Sequence, residues 1–490
     1  MIQKKQAESA AEKAKAITEG TLPEGARSGI GADPSVPIKG EPTPVRTRDL
    51  MAQVVSKENM SSAYKRVVSN KGAAGVDGMQ VDQLQPYLKA HWEEIKVQLE
   101  KGIYYPKPVR KVEIPKPGGT GKRMLGIPTA LDRLINQAIL QVLSPIWEPL
   151  FSENSYGFRP GRSAQDAVRK AQSYQDEGLK IVVDLDLEKF FDEVNHARLM
   201  SKIMERTPGE WALHRLIHRY LKAGMMEDGV TQTRDKGTPQ GSPLSPLLSN
   251  IVLDELDKEL ETRGHKFVRY ADDCNVYVAK QRSGERVYAS LTRFIENKMR
   301  LKVNKEKSKV DQPRHRKFLG FSFYNKKGGV GIRIAPSSIE RLHKGIKALC
   351  RQGRGWNLTR FIRELLNPYL RGWVNYYRIA DAKKVLEGLD EWIRRRLRLI
   401  LWRQWKRNWT RRNKLIAAGL TEQRAVESAF NGRGPWWNSG ASHMNQAFQK
   451  RYFQKLELIS LLEKLLDYKK TVTNGTAVYG TVRTVVGGDR

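Results

Sequence analysis

The sequence predicts a mixed α/β (α+β) fold, because both strand and helix periodicities are present. Residues 181–187, "IVVDLDL", alternate with a period of two and place Asp184 and Asp186 on one face of a strand. The opposite face of this strand is apolar and carries Ile181, Val183, Leu185 and Leu187. Residues 243–260, "PLSPLLSNIVLDELDKEL", form one apolar helical stripe, and the chain beyond Pro336 is helical and increasingly basic.

The stretch "FVRYADDCNVYV" predicts a hairpin whose tight turn holds two adjacent carboxylates, Asp272 and Asp273. Such a pair is more often a solvated turn than a metal site, but like charges that are buried must be paired or must hold a cation. If the strand that ends at Asp186 lies beside this hairpin, three carboxylates converge. Such a cluster suits two Mg²⁺ ions about 4 Å apart, with Asp186 and Asp272 as bridging ligands and Asp273 as an outer one.

Composition limits the kind of partner. The 490 residues allow two to four domains, and 87 Lys and Arg against 53 Asp and Glu give a net charge of +34. This excess favours a polyanionic partner, either nucleic acid or an anionic membrane surface. No apolar run is long enough to cross a membrane, so no membrane partner is expected. Two cysteines allow neither a disulfide framework nor a cysteine-rich zinc site, which favours a reducing interior.

The sequence resembles the reverse transcriptase/maturases encoded by bacterial group II introns. The resemblance rests on motifs that follow one another from about residue 50 to 460. They are "EIPKPGGTGKRMLGIPTALDRLINQAI", "SYGFRPGRSAQDAV", "VVDLDLEKFFDEVNH", "GTPQGSPLSPLLSNI", "RYADDCNVYV", "LKVNKEKSKV", "RKFLGFSF" and "YLRGWVNYYRIAD". The last is similar to the maturase-associated thumb signature, which retroviral and retron enzymes lack.

The resemblance implies a right-hand polymerase whose palm carries the three aspartates in an antiparallel sheet. The segments expected from it are a flexible N-terminal extension over 1–48, fingers over 49–180, palm over 181–332, a helical thumb/maturase domain over 333–412, and a basic C-terminal DNA-binding region and tail over 413–490. A C-terminal HNH endonuclease needs histidines and paired cysteines, so we expect none here. Without it, mobility would depend on another primer, such as a replication-fork strand.

The resemblance also implies a nucleotide site. Lys116 and Arg123, across a Gly-rich turn, would clamp the incoming triphosphate, although solvated loop charges are the alternative. Phe191, five residues after Asp186, would stack under the sugar and exclude a 2′-hydroxyl, unless it is only core packing beside Phe190. Lys307 would protonate the leaving pyrophosphate, unless it is simply a solvated lysine.

The loop "TPQGSPLSP" would place Gln240 and Gly241 against the nascent base pair, where a small residue lets the backbone approach closely. Members of this family usually have a second glycine where this chain has Ser242, which questions fidelity or loop geometry but not the reaction. Arg159 and Arg162, in "GFRPGRS", are expected to contact template backbone rather than substrate.

Nucleic-acid binding is also expected in the basic helical region "EWIRRRLRLILWRQWKRNWTRRNK". Trp402, Trp405 and Trp409 lie near one helical stripe, which predicts that the tryptophans pack inward. The surrounding arginines would bind phosphates or form only a solvated basic face. They are Arg394, Arg395, Arg396, Arg403 and Arg407.

The expected activity is that of an RNA-directed DNA polymerase, a nucleotidyltransferase that uses two Mg²⁺ ions, with Mn²⁺ as a possible substitute. Its partners would be group II intron RNA or another RNA template, a DNA primer or target, and dNTPs, in the bacterial cytoplasm at the nucleoid. A splicing cofactor with an inactive polymerase is the second hypothesis, against which the intact Asp186, Asp272 and Asp273 argue. A polymerase domesticated for DNA repair or antiphage defence has the same residues and stays open.

Overall fold

The computed structural model describes residues 49–115, 122–227, 230–232 and 235–482, with side chains up to residue 471. The chain forms two compact units that divide between Arg316 and Lys317. The predicted extension over 1–48 lies outside the described residues. The predicted palm segment, 181–332, crosses the division between the units.

In the part of the first unit that the structure describes, there are eight strands and a set of helices. The strands are β1 Val109–Pro115, β2 Lys122–Ile127, β3 Ile181–Leu185, β4 Met225–Glu227, β5 Val230–Gln232, β6 Lys266–Tyr270, β7 Asp273–Val278 and β8 Lys309–Asp311. Its described α-helices are Leu50–Val55, Lys57–Ser69, Leu84–Glu100, Ala130–Trp147, Ala164–Asp176, Phe190–Glu193, His196–Arg206, Trp211–Lys222, Ser245–Thr262 and Gln281–Phe294.

The central sheet of this unit has the strand order β6-β7-β3-β8 and is antiparallel throughout. Period-two alternation in β3 was predicted correctly, because Ile181, Val183, Leu185 and the following Leu187 all belong to the hydrophobic core of the first unit. Asp184 and Asp186, on the alternate positions, are only partly buried. The sheet therefore has one strongly apolar face that fixes its register.

Two further predicted elements, a helix and a hairpin, are also present. The apolar helical stripe becomes the helix Ser245–Thr262, and β6 and β7 form the predicted hairpin. Ala271 and Asp272 make the turn, and Asp273 is already the first residue of β7. A second sheet, with the order β2-β1-β4-β5, includes a parallel pair between β1 and β4.

The second unit begins with a two-stranded hairpin, β9 Phe321–Lys326 and β10 Gly329–Ile334, and is otherwise helical. Its described α-helices are Pro336–Gln352, Leu358–Phe361, Asn367–Tyr376, Lys383–Gln404, Asn408–Ala417, Glu422–Ala429, Pro435–Gly440, Ser442–Ala447, Lys450–Lys455 and Leu461–Val482. The Phe321 ring of β9 packs on Tyr376 and Tyr377, with ring centroids 5.6 and 5.0 Å away. This packing explains why the hairpin belongs to the helical unit. None of the described helices has the length and apolar character needed to cross a bilayer.

Of the three tryptophans predicted to pack inward, two do so. Trp402 is 1% exposed and Trp405 is 7% exposed, and their ring centroids lie 6.4 Å apart. The prediction is wrong for Trp409, which is 64% exposed. The reason is that the helix ends at Gln404 and a new helix begins at Asn408, so the helical stripe is interrupted before Trp409.

Candidate active site

Asp186 lies at the C-terminal end of β3, where the hairpin of β6 and β7 also ends. Leu185 pairs with Cys274 in the antiparallel register, so the next residue, Asp186, comes opposite Asp273. The Asp186 backbone is fixed by the loop that precedes β8: its N–H donates to the Ser308 hydroxyl at 2.9 Å, and its carbonyl accepts from the Asn304 N–H at 2.8 Å. The backbone thus brings all three aspartates to one end of the sheet.

The turn that carries Asp272 has a constrained backbone. Ala271 has a φ of 56°, in the left-handed region that a residue with a side chain rarely adopts. The chain at Gly157 passes so close that a Cβ there would collide with the Ala271 backbone. Gly157 is therefore required because the backbone of the turn occupies the space that a side chain would need.

A buried network around Arg269 holds this turn. Arg269 and Asp257 are both fully buried, and the guanidinium donates to both carboxylate oxygens, at 2.7 and 2.5 Å. Arg269 also donates to the Asn250 side chain and to the carbonyl of Ala271, both at 3.0 Å. Burial opposes its charge, yet the Asp257 carboxylate raises the pKa of Arg269, so the guanidinium stays charged. Burial raises the pKa of Asp257, and the Arg269 guanidinium opposes that shift. Sequence analysis missed this network.

Lys307 and Asp184 are both close to Asp186, but only Lys307 contacts the Asp186 carboxylate. The Lys307 ammonium is 3.5 Å from the Asp186 carboxylate, and its side chain is 63% exposed. Asp184, two residues before Asp186, accepts from Arg316 at 2.6 Å, and Arg316 also donates to the Lys307 carbonyl at 2.9 Å. Asp184 therefore forms a structural ion pair that also fixes the backbone at Lys307.

The donor set is suited to a hard divalent cation, since Asp186, Asp272 and Asp273 offer only carboxylate oxygens. Asp186 is partly exposed, with 30% of its side chain accessible, and Asp273 is exposed, so solvent ions can reach them. Within the described residues, no three His, Cys, Asp or Glu side chains are gathered tightly enough to hold a metal ion. The backbone register therefore places the three residues together, while the three side chains do not form a ligand cluster in this conformation.

Phe191 and the loop after β5 pack on one another. The Thr238 N–H donates to the Phe191 carbonyl at 2.6 Å, and the Phe191 ring lies edge-on to Phe190 at 5.3 Å. Phe191 is only partly buried against the core, unlike Phe190, which is 2% exposed. Phe191 nevertheless packs against the hydrophobic core, so the sugar contact and the core role both stay predictions.

The loop predicted to lie against the base pair is tied to the second sheet. The Gln240 carbonyl accepts from the Gly126 N–H at 2.8 Å. Gly241 has a φ of 127°, and a Cβ there would come within 2.6 Å of the Gly126 carbonyl, so glycine is required. Ser242 is not among the residues with positive φ, and its hydroxyl accepts from the Leu244 N–H at 3.3 Å. Serine thus fits this backbone and caps the turn that leads into the helix Ser245–Thr262.

Comparison with known proteins gives the same assignment for two stretches of the chain. Residues 114–323 match the family model described as reverse transcriptase (RNA-dependent DNA polymerase). Residues 339–416 match the model of the group II intron maturase-specific domain, and the two stretches together cover more than half of the chain. The chain belongs to the group II intron-encoded reverse transcriptase/maturases. The predicted family and the predicted right-hand polymerase fold class are confirmed.

Individual relatives are similar over part of their length. Protein YkfC of Escherichia coli K12 is 37% identical over 225 residues, which are 45% of this chain and 58% of the relative. The group II intron-encoded protein LtrA of Lactococcus lactis subsp. cremoris is 38% identical over 207 residues, which are 42% of this chain and 34% of LtrA. The chain thus spans between one third and three fifths of these curated relatives. A solved partial Cas6-RT-Cas1–Cas2 complex matches at 25% identity and a TM-score of 0.34, over 51% of this chain and 42% of the other.

The predicted triphosphate clamp of this reverse transcriptase/maturase lies outside what the structure describes. Lys116 is outside the described residues, and the side chain of Arg123 is not described either. The backbone at Arg123 pairs with Ile114 in the hairpin of β1 and β2. The clamp therefore stays a prediction.

Arg159 and Arg162 were both expected to contact the template backbone, and for Arg159 this expectation is wrong. Arg159 is 7% exposed, and its guanidinium donates to the Glu148 carboxylate at 2.8 Å and to the Ser155 carbonyl at 3.0 Å. Because its donors are used inside the protein, Arg159 does not reach a phosphate. Arg162 pairs with Glu153 on the surface at 2.7 Å, and its phosphate contact stays a prediction.

The arginines of the maturase-specific domain have distinct surroundings. The Arg395 guanidinium lies 4.0 Å from the Trp436 ring centroid and donates to the Trp436 carbonyl at 3.2 Å. Arg403 and Arg407 are exposed, and Arg394 and Arg396 are partly buried. Arg398, which was not predicted as functional, is buried and donates to the carbonyls of residues 439 and 448, and burial lowers its pKa to about 10. Phosphate contacts by the five predicted arginines stay predictions.

Proposed function

We propose that this protein is an RNA-directed DNA polymerase that copies RNA into cDNA from dNTPs. The observation that carries the proposal is the register of β3 and β7, which brings Asp186 opposite Asp273 and beside the turn at Asp272. The reverse transcriptase match over residues 114–323 contains all three aspartates and supports the assignment. Lys307, 3.5 Å from Asp186, adds the cation expected next to such a site.

The residues that would hold two Mg²⁺ ions are Asp186, Asp272 and Asp273, and Mn²⁺ offers the same oxygen-seeking chemistry. Bound there, the ions would lower the pKa of the primer 3′-hydroxyl and stabilise the charge on the departing pyrophosphate. The protein's part is to hold the three carboxylates at one end of the sheet. The turn at Ala271, fixed by Arg269, sets the position of Asp272.

Other residues around the aspartates are assigned roles within this proposal. The exposed Lys307 ammonium donates a proton to the leaving pyrophosphate, and Phe191 packs under the sugar and excludes a 2′-hydroxyl. Gln240 and Gly241 lie against the nascent base pair. On the incoming nucleotide, the triphosphate is held by Lys116 and Arg123.

We propose in addition that the protein binds group II intron RNA, assists its splicing and takes part in its mobility into DNA at the nucleoid. The maturase-specific match over residues 339–416 supports this. The net charge of +34 supplies the attraction for a polyanion. Phosphate contacts are assigned to Arg162, Arg394, Arg395, Arg396, Arg403 and Arg407.

Primer extension on an RNA template with Mg²⁺ tests the polymerase assignment. Asp272→Asn removes one negative charge from the proposed metal site, so full-length cDNA should be lost while RNA affinity changes little. Glu188→Gln is the matched control, since Glu188 is an exposed acid two residues after Asp186 and the charge change is the same. Persistent full-length product from the Asp272 variant would refute the assignment.

A further inference from the structure

A cationic groove runs between two helices of the maturase-specific domain, Pro336–Gln352 and Lys383–Gln404. Its cavity has a volume of about 310 Å³. Its lining consists of Lys347, Cys350, Arg351, Arg354, Arg396, Leu399, Ile400 and Arg403. Five of these eight residues are cationic, and none of the described residues that line the cavity is acidic. We call this cavity the thumb groove.

The cations of the thumb groove follow helical spacing on both sides. Positions 347 and 351 share one face of the first helix, and Arg354 follows in the short 3₁₀ turn Gly353–Gly355, after that helix has ended at Gln352. Positions 396 and 403 share one face of the second helix and lie about 10 Å apart at a rise of 1.5 Å per residue. The cations therefore extend far enough to follow a chain of phosphates rather than a single anion.

Arg396 shows that the thumb groove lacks an internal counterion. Burial lowers the pKa of Arg396, the neighbouring Cys350 partly offsets this, and repulsion from Arg403, Arg395 and Arg351 lowers the pKa further. Its Nε is buried without a hydrogen-bond partner among the described residues. The repulsion between these crowded cations is a cost that a bound anion would relieve.

An exposed tryptophan lies next to the same arginine. The Arg396 guanidinium is 4.5 Å from the ring centroid of Trp436, and Trp436 is 39% exposed. Large exposed aromatic side chains beside cations are typical of surfaces that stack unpaired nucleic-acid bases. The Arg395 guanidinium also lies over this ring, 4.0 Å from its centroid. The exposed part of the Trp436 ring is thus a stacking surface beside cations that can bind phosphates.

We propose that the thumb groove, together with Trp436, binds a single-stranded segment of RNA, with consecutive phosphates on the five cations and an unpaired base on the Trp436 ring. The choice of RNA rests on the proposed function, because all five cations lie within the maturase-specific match. The proposal adds Lys347, Arg351, Arg354 and Trp436 to the residues that bind RNA.

Filter binding over a salt series tests the cations. Lys347→Gln, Arg351→Gln and Arg354→Gln together remove three charges from one wall of the groove. The slope of log affinity against log salt should fall by up to about 2 for a single-stranded RNA, since each phosphate contributes about 0.7. The control combines Lys344→Gln, Lys383→Gln and Lys384→Gln, which remove three exposed charges that do not line the groove, and its slope should stay that of the parent. Equal slopes for both triple variants would overturn the proposal.

Base stacking is tested by Trp436→Leu. Affinity for single-stranded RNA should fall about tenfold, while affinity for a fully paired RNA of the same length should not change. Trp211→Leu is the matched control, because Trp211 is 68% exposed but lies in the other unit. An equal loss on single-stranded and paired RNA would refute the stacking role. Parent affinity for single-stranded DNA of the same sequence should be lower, and equal affinity would overturn the assignment to RNA.

Failure of the thumb groove and failure of the polymerase assignment are distinguishable. Thermal unfolding of each variant shows whether it is folded like the parent. A parent that makes no cDNA but loses salt slope on substitution of Lys347, Arg351 and Arg354 would refute the polymerase and support the groove. A parent that makes cDNA but shows an unchanged slope in that variant would refute the groove alone.

Discussion

Replacing Arg269 should separate the stability of the first unit from the placement of Asp272. Arg269→Met leaves the Asp257 carboxylate fully buried without its counterion. Breaking a buried ion pair on one side costs about 3–5 kcal/mol, so the free energy of unfolding of the first unit should fall by that amount. The fall should appear as a lower midpoint in urea unfolding.

The double variant, Arg269→Met with Asp257→Leu, should regain most of that stability. Replacing both partners of a buried pair by apolar side chains of similar volume is often neutral. The hydrogen bond from Arg269 to the Ala271 carbonyl is nevertheless still missing, and Ala271 must keep its left-handed φ of 56° without it. The turn that carries Asp272 is thus released in a protein that is otherwise folded.

The expected loss of activity follows from the hydrogen bond to Ala271, because the other lost bond, to the Asn250 side chain, does not reach the turn. A hydrogen bond from a charged donor contributes about 1.5–3 kcal/mol. If the bond holds the turn in the catalytic geometry, kcat should fall about ten- to a hundredfold while the KM for dNTP changes little. Single-turnover primer extension on the double variant measures this directly.

A surface pair provides the control for this experiment. Arg198 and Glu255 form an ion pair at 2.8 Å with side chains 40% and 26% exposed. Arg198→Met should therefore lower the unfolding free energy by about 1 kcal/mol or less. A double variant of Arg269 and Asp257 that is stable and retains the parent kcat would refute the positioning role and leave the network a purely structural one.

Three further predictions concern single side chains. Phe191→Ala should raise ribonucleotide incorporation well above the parent in primer extension with mixed nucleotides, whereas unchanged incorporation with lower stability would make Phe191 a core residue. Arg159→Gln should lower the unfolding free energy by about 1.5–3 kcal/mol because it removes the bonds of a buried guanidinium to Glu148 and to the Ser155 carbonyl. Arg162→Gln should leave stability nearly unchanged in the same urea titration, because its pair with Glu153 is on the surface. Burial lowers the pKa of His214 in the folded protein, so on acidification the unfolded chain takes up a proton at a higher pH than the folded one. The free energy of unfolding should therefore fall as the pH drops below about 6.5. His214→Phe should reduce this fall in unfolding experiments between about pH 5 and 7, and an unchanged pH dependence would contradict the prediction.

The sequence predicted those features that repeat with a simple period or that carry a motif. Alternation at positions 181–187 was sufficient to identify β3 and its apolar face, because one residue of slippage would have exposed that face. The hairpin at Asp272 and Asp273 followed from two strand-forming runs separated by acidic residues. Motifs that resemble a known family then gave the polymerase class.

Charged residues could not be sorted by sequence into structural and functional ones. Arg159 stands in a basic loop motif, yet it is buried against Glu148, and Arg269 precedes the aspartates, yet it binds Asp257 inside the core. A lone arginine has the same sequence pattern whether its partner is a carboxylate in the protein or a phosphate outside it. The partner comes close only through tertiary packing, and the local periodicity of the sequence contains no information about it.

The same limit explains why the thumb groove was not predicted. Its cations come from two helices separated by thirty residues of chain and from the turn that follows the first helix, and each group by itself has the pattern of a solvated surface. Arg396 was predicted to bind phosphate, but Lys347, Arg351 and Arg354 were not, since a basic run is absent from the first helix. Their meaning arises only where the two helices pack and no carboxylate of the described residues lines the space between them. Because the cations line the same space, a bound anion would offset the repulsion between them, and this favours an anionic ligand over a merely solvated surface.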